Sequence, residues 1–478
     1  MRLAPLALSL VMSSPMSAAA QPARAPAPIN PRLLVLDPAP APVPALKYRL
    51  LPSVADLNPG DAAPIYLRIR YQTPDGPWNA ITGEHAKWRN LPLDSFPAAD
   101  ARKFLDLFRK PLEQIEFGAR RKTCDWNYTQ PEQRLDQINL DLADAQQMRQ
   151  WVRLLDLKAR VEIAEKTYDQ ALRTIETGMA FSRHIADGPF LINGLIGAAG
   201  EVVLLEEAAE LIARPGAPNL YWALTALPRP LIDSRHAIEN EQKLFENMVP
   251  ELIEAGTDRP RTAADWTSLV ARMHARIVNW LGIYKGDDTL KSLATSDLAR
   301  FKAACLPAAR ADLEAHRRRG DRPTAEMSDD QAIALYLARG YRDLWDDYFK
   351  AAYLPVRDAI RELEAAHKRL AAAKSGPLVL FVAMTPAIQS VMRSTLRVDR
   401  QVAILRVIEA LRLHAASHDG RLPESLGEIT EVPVPDDPAT GEPFIYRAAD
   451  SAAILQALRA DMPYPPPSYR ITIRRREP

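Results

Sequence analysis

Two histidines one helical turn apart, His414 and His418 in the stretch LRLHAASHDGRLPESL (Leu411 to Leu426), have the spacing of a metal clamp. A His-x3-His pair on a helix presents both imidazoles to one side, and neutral imidazole suits zinc-class ions. Other features favour a structural role. The hydrolytic form of this motif carries a glutamate after the first histidine, and Ala415 stands there. No third ligand follows at a fixed spacing, and Asp419 falls on another side of the helix. Ile404, Val407, Leu411, His414 and His418 step by threes and fours along one apolar face, and Gly420 then offers a helix stop. The pair is therefore read as packed or capping histidines at a helix end, with metal binding as the alternative.

A second candidate is Glu364-Ala-Ala-His367, the Glu-x-x-His spacing of di-metal carboxylate bundles. Such a site needs a second copy plus two further carboxylates. Asp233-Ser-Arg-His236 is the nearest second copy, and Glu206, Glu207 and Glu210 are available to complete a set. A third candidate is NLYWALTALPRPLID, where Tyr221 and Trp222 precede Arg229, itself held between Pro228 and Pro230. The prolines restrict the backbone on both sides, so a fixed arginine beside aromatics could receive a carboxylate-bearing ligand. The competing reading is an aromatic core with the arginine bridging two loops. Nucleophile elbows, glycine-rich phosphate loops and paired Cys-x-x-Cys motifs are missing from the sequence. The basic run His316 to Arg322 reads as a solvated helix end.

These groups need elements to position them, and the chain has the material. Its 478 residues are 47% hydrophobic, enough for more than one core. The net charge of +1, from 61 basic and 60 acidic side chains, calls for neither nucleic acid nor an anionic membrane surface. Arg2, the apolar run Leu3 to Met12 and the small residues Ala18 and Ala20 have the pattern of a secretory signal cleaved after Ala20. That run is too short to span a bilayer, as is Pro377 to Met392, so no transmembrane span is expected in the mature chain. Cys124 and Cys305 are the two cysteines; one disulfide or two buried thiols are both open, with thiols favoured because a chain this large needs no disulfide.

Gln21 to Pro44 holds eight prolines and reads as an extended tether, placing the start of the fold near Leu46. Residues 46–130 form a mixed N-terminal region packing on the helical body; the segment IYLRIRY within it fits a strand or a helical turn equally. Residues 131–376 form an α-helical domain. Apolar positions recur at three and four throughout, for example Leu154, Leu157 and Val161, or Trp266, Leu269, Met273 and Ile277. Ser328 before Asp329 and Asp330 marks a helix start, and Pro355 suits the first turn of the next helix. Residues 377–478 read as a long helix followed by a small antiparallel sheet that includes SYRITIRR.

Two resemblances follow from particular residues. Tyr168 and Ala171, in LLDLKARVEIAEKTYDQALRTIETG, resemble positions of a tetratricopeptide hairpin, although the chain does not repeat at that family's ~34-residue period. Leu380 to Arg447 resembles a pseudopilin of bacterial type II secretion. It has Pro386, then Leu405, Ile408 and Leu411, then Gly420, Leu422, Pro423 and Leu426, and a closing motif of Asp437, Pro438, Gly441, Pro443, Phe444 and Tyr446. This chain places the segment behind a long N-terminal portion and lacks the acidic residue that the family uses in filament assembly. The stretches NLYWALTALPRPLID and LRVIEALRLHAASHDGRLPESL also resemble a group of uncharacterised exported bacterial proteins with a helical front and such a tail.

The expectation is a mainly α protein of antiparallel helical hairpins, solenoid-like or an irregular bundle, with a small C-terminal α/β pseudopilin-like module. Its expected role is binding or scaffolding in the cell envelope, periplasmic or extracellular, with a peptide or protein partner, no nucleic acid, no cofactor and no catalytic residue assigned. The alternatives are an envelope enzyme using some of Glu364, His367, His414 and His418, and an accessory to a secretion or pilus-like assembly.

Overall fold

The computed structural model describes residues 31–126, 134–283, 297–317, 323–372, 385–449, 452–458 and 465–474. The signal-like segment 1–20, residues 318–322 of the basic run and residues 377–384 of the second apolar run lie outside them.

Among the described residues the protein is mainly helical, with fifteen α-helices and a small mixed sheet. The ambiguous IYLRIRY segment is helical: α1 spans Ala63–Ile69, with Tyr66 and Ile69 buried. It follows a short parallel pairing of β2 (Asn58–Asp61) with β3 (Arg121–Thr123). Helices α2 (Asp75–Arg89), α3 (Ala98–Asp106) and α4 (Arg109–Ala119) complete the N-terminal region. They lie against α5 (Arg134–Ala164) and α6 (Tyr168–Ala186), and α6 packs closely on α7 (Leu191–Ile212). Gly197 makes that approach possible: a Cβ there would meet the carbonyl oxygen of Ser182 at 2.6 Å.

Beyond the short α8 (Tyr221–Thr225), a second group of helices comprises α9 (Arg235–Met248), α10 (Glu251–Ala255), α11 (Ala263–Ile283), α12 (Leu298–Ala315), α13 (Asp329–Ala352) and α14 (Val356–Ala372). The capping signals act as their chemistry suggests. Ser328 Oγ accepts the Gln331 N–H at 3.1 Å at the start of α13, and Pro355 directly precedes α14.

The cores do not follow the boundaries expected from composition. One apolar core draws on residues between Leu34 and Ile232 and again between Val398 and Ile473; the other draws on Leu191 and on residues between Ala237 and Met392. Helix α15 (Thr385–Ser417) belongs to both. Ile388, Val391 and Met392 sit in the second core, while Val398 to Ala415 sit in the first. At 1.5 Å per residue this helix is roughly 50 Å long, enough to connect them.

The N-terminal tether is corrected as well. Within the expected linker 21–45, Arg32–Leu36 forms strand β1, and Leu34, Leu36 and Ala39 are buried. The RLLVL run alternates and lies between prolines, so it can pair without asking proline for an N–H. β1 adds in parallel to β6 (Ser468–Ile473), which pairs antiparallel with β5 (Ala452–Gln456), and β5 with β4 (Ile445–Ala449). The expected antiparallel sheet is therefore mixed, with order β1-β6-β5-β4.

Polar groups fix these segments to α15. Arg412 and Glu409 pair at 3.0 Å with both side chains fully buried. Arg412 also donates to the carbonyls of Asp37, Ala217 and Pro218, and Glu409 accepts the Leu220 N–H. Asn219 donates to the Glu409 carbonyl at 3.0 Å. One helix turn thus holds the N-terminal segment and the loop after α7 together. Farther along, Arg400 grips Asp437 through both carboxylate oxygens at 2.6 to 2.9 Å and also donates to the Leu458 carbonyl. Asp437 in turn organises its own tight turn, its carboxylate accepting Ala439 N–H and its carbonyl accepting Gly441 N–H. The DPATGEP motif is an ion-paired turn clamped to the helix.

Candidate metal centre and binding groove

Helix α15 ends as its sequence demands. Gly420, at φ 77°, donates its N–H to the Ala415 carbonyl at 2.8 Å, and Arg421 N–H reaches the His418 carbonyl at 2.9 Å. The chain reverses, and Ile429 and Val432 drop into the core. Between them Glu431 is left facing the last turn of the helix. His414 and His418 stack with ring centroids 3.8 Å apart and planes 14° from parallel. Nδ1 of each lies 3.4 Å from Glu431 Oε1. Ser417 Oγ donates to that oxygen at 2.6 Å, and Thr430 N–H donates to Oε2 at 3.1 Å. His414 is 5% exposed, and the group facing its Nδ1 is the Glu431 carboxylate. His418 is exposed, with Nδ1 2.9 Å from the His414 carbonyl oxygen. The shared face read from the sequence is present. A third group able to ligate, which spacing could not reveal, comes from the loop, between the buried Ile429 and Val432.

The di-metal combination is not assembled. Among the described residues, His414, His418 and Glu431 are the one group of three or more potential ligands whose donor atoms lie within 4.8 Å of one another. Glu364 pairs with Arg393 at 2.6 Å, and His367 is half-buried on the same helix. Asp233 is taken by Arg235, and His236 contacts the Asp187 carbonyl at 3.2 Å. Glu206 pairs with Arg89, Glu207 with Arg160 and Glu210 with Arg32. Burial raises the Glu207 carboxyl, with nearby Asp156 adding to the shift and Arg160 opposing it. Each of these three glutamates is held by an arginine. Cys124 and Cys305 are both free, and burial pushes each thiol well up, Cys305 to about 12.

The aromatic and arginine stretch divides. Tyr221 is fully buried; its hydroxyl donates to the Pro433 carbonyl and accepts from Arg406 at 3.2 Å. Trp222 meets it edge-on at 5.2 Å. Tyr221 is thus a core residue with its polar handle already used. Of the expected ligand site of Tyr221, Trp222 and Arg229, the first two pack in or against the core and the third lies at the surface. Arg229 is exposed, beside Asp399, whose Oδ1 accepts the Leu231 N–H at 3.0 Å. Partial burial raises the Asp399 carboxyl from 3.8 to about 6 against the pull of that hydrogen bond and of Arg229. The folded state holds this proton more tightly than the unfolded chain does. Its contribution to stability is full below about pH 4 and is lost as pH rises through about 6. Urea midpoints of wild type relative to Asp399→Asn should therefore fall across this window and level off above it; a constant difference would refute the assignment.

A feature not legible from motifs is a groove of about 910 Å³ along α13, walled by α9, α10 and the end of α12. Leu252, Ile253, Leu335, Trp345 and Phe349 line it, with Arg317, Arg339 and Arg342 among its polar groups. Arg339 pairs with Asp312, and Tyr341 interacts with Glu246. Trp345 is 3% exposed, and its Nε1 donor has no hydrogen-bond acceptor. No described helix is long and apolar enough to cross a membrane. Comparisons of the chain with protein-family models, with curated proteins and with solved structures found no match.

Proposed function

We propose that this chain is an exported binding protein that holds a peptide or protein segment in the groove along α13. The groove itself carries the reading: its volume lies within the ~300–1,000 Å³ of sites that enclose small ligands or side-chain anchors. Its chemistry suits a segment with an aliphatic or aromatic anchor beside a carboxylate. The anchor would bury against Ile253, Leu335 and Phe349, and the carboxylate would meet the guanidinium of Arg342.

Panning a random peptide library against the full chain tests this. Selected peptides should share such an anchor–carboxylate pair. Ile253→Asp, at a half-exposed position on the groove wall, should abolish their binding, and Arg342→Glu should weaken it about tenfold, on the order of one charge-assisted contact. Absence of enrichment, or binding indifferent to both substitutions, would remove the reading.

The tail supports a second reading, an accessory of a secretion or pilus-like assembly. The long helix α15, the sheet that ends in β4 and the clamped Asp437 turn are consistent with the pseudopilin-like resemblance. A photocrosslinker at Arg447 on exposed edge strand β4 should capture a neighbouring envelope protein if this holds, and capture none if the tail serves packing alone.

A further inference from the structure

We propose that His414, His418 and Glu431 form a binding site for a single zinc-class divalent ion at the end of α15. The proposal stands apart from the groove and needs no partner protein. Zinc binds imidazole nitrogen and carboxylate oxygen at ~2.0–2.2 Å, so ligands on a tetrahedron lie roughly 3.4 Å apart. Both histidine Nδ1 atoms are 3.4 Å from Glu431 Oε1. The buried His414 Nδ1 faces Glu431 Oε1 at 3.4 Å, too long for a well-formed hydrogen bond, and an ion between the three groups would bind the neutral imidazole in its place.

The surroundings have the character of a supporting shell. Ser417 Oγ and Thr430 N–H hold the two oxygens of Glu431, so the carboxylate is oriented before any ion arrives. The site also lies at a helix C-terminus, where the backbone dipole favours positive charge. His418 makes the adjustment. In the ion-bound form its proton sits on Nε2, and Nδ1 turns from the His414 carbonyl to the metal. Exposure of His418 provides the way in, and three protein ligands leave the fourth position to water. Ala415 occupies the position of the hydrolytic glutamate, so the role assigned is binding, which pins the returning loop to the helix.

The test uses untagged, full-length protein stripped with chelator and titrated with Co²⁺. One equivalent should produce the intense visible absorption of tetrahedral cobalt, and Zn²⁺ should abolish it by displacement. His418→Ala should weaken binding at least ~100-fold, since even loss of a supporting residue costs ~10–100-fold. Because His418 is exposed, this variant should keep its circular dichroism spectrum. Glu431→Gln gives an independent second variant with the same expected loss, and Ser417→Ala should cost about tenfold. Zn²⁺ should raise the Tm of wild type but not of either ligand variant. The proposal is overturned by absence of saturable cobalt binding, by a thiolate-to-cobalt band implicating Cys124 or Cys305, or by affinity unchanged in His418→Ala and Glu431→Gln.

Discussion

Arg412→Ala should destabilise the protein by about 3–5 kcal/mol, the range for removing one partner of a buried ion pair. Burial holds the Glu409 carboxyl above its ordinary value, and Arg412 is the charge that opposes this. Without the guanidinium, Glu409 must take up a proton or remain an unpaired charge, and the carbonyls of Asp37, Ala217 and Pro218 lose their donor. Glu409→Gln should cost less, because Arg412 keeps those three carbonyls. Against a total stability of ~5–15 kcal/mol, the alanine variant would leave much of the population unfolded at modest urea. Urea denaturation of both variants decides it. A loss below about 1 kcal/mol for Arg412→Ala, or a larger loss for Glu409→Gln, would mean that the staple is not what joins these segments.

Asp437→Ala should be comparably severe, about 3–5 kcal/mol, for a related reason. Arg400 and Asp437 are buried together, and the aspartate also forms the turn that leads into β4. Replacing both partners with apolar residues, Arg400→Met with Asp437→Leu, should recover part of that loss, since a matched apolar pair leaves no buried charge. It should not recover all of it, because the Ala439 N–H and the Leu458 carbonyl still lose their partners. A double-mutant cycle measures the coupling; additive effects would show that the two side chains act separately.

The parts of this fold legible in the sequence are those encoded over a few residues. The helix stop at Gly420, the Ser328 cap, the Pro355 start and the apolar face ending in His414 all follow from local spacing. The clamped Asp437 turn shows as a motif, but its arginine, some forty residues earlier on α15, does not. Three things needed the tertiary structure. Prolines flanking RLLVL suggested a tether, yet alternation inside that run is enough for an edge strand. Glu431 reaches the histidines because two neighbours are buried, not because of any fixed interval. The groove along α13 is built from helix packing and has no sequence motif.

The division of the cores also changes how the tail can be studied. Residues from Val398 onward supply apolar surface to the same core as α5, α6 and α7. Removing the tail would strip that core, so deletion cannot separate its function from its packing, whereas point changes on β4 can.

The pairing of β1 with β6 has one more implication, for how this polypeptide matures. Arg474 bonds Asp37 across 437 residues, and among the described residues β1 pairs with β6 alone. During synthesis β1 must wait with bare edge amides until the chain as far as Ile473 has emerged. Closure of so long a loop is entropically costly and slow, and meanwhile Leu34 and Leu36 offer a short adhesive segment to other nascent chains or to a holding chaperone.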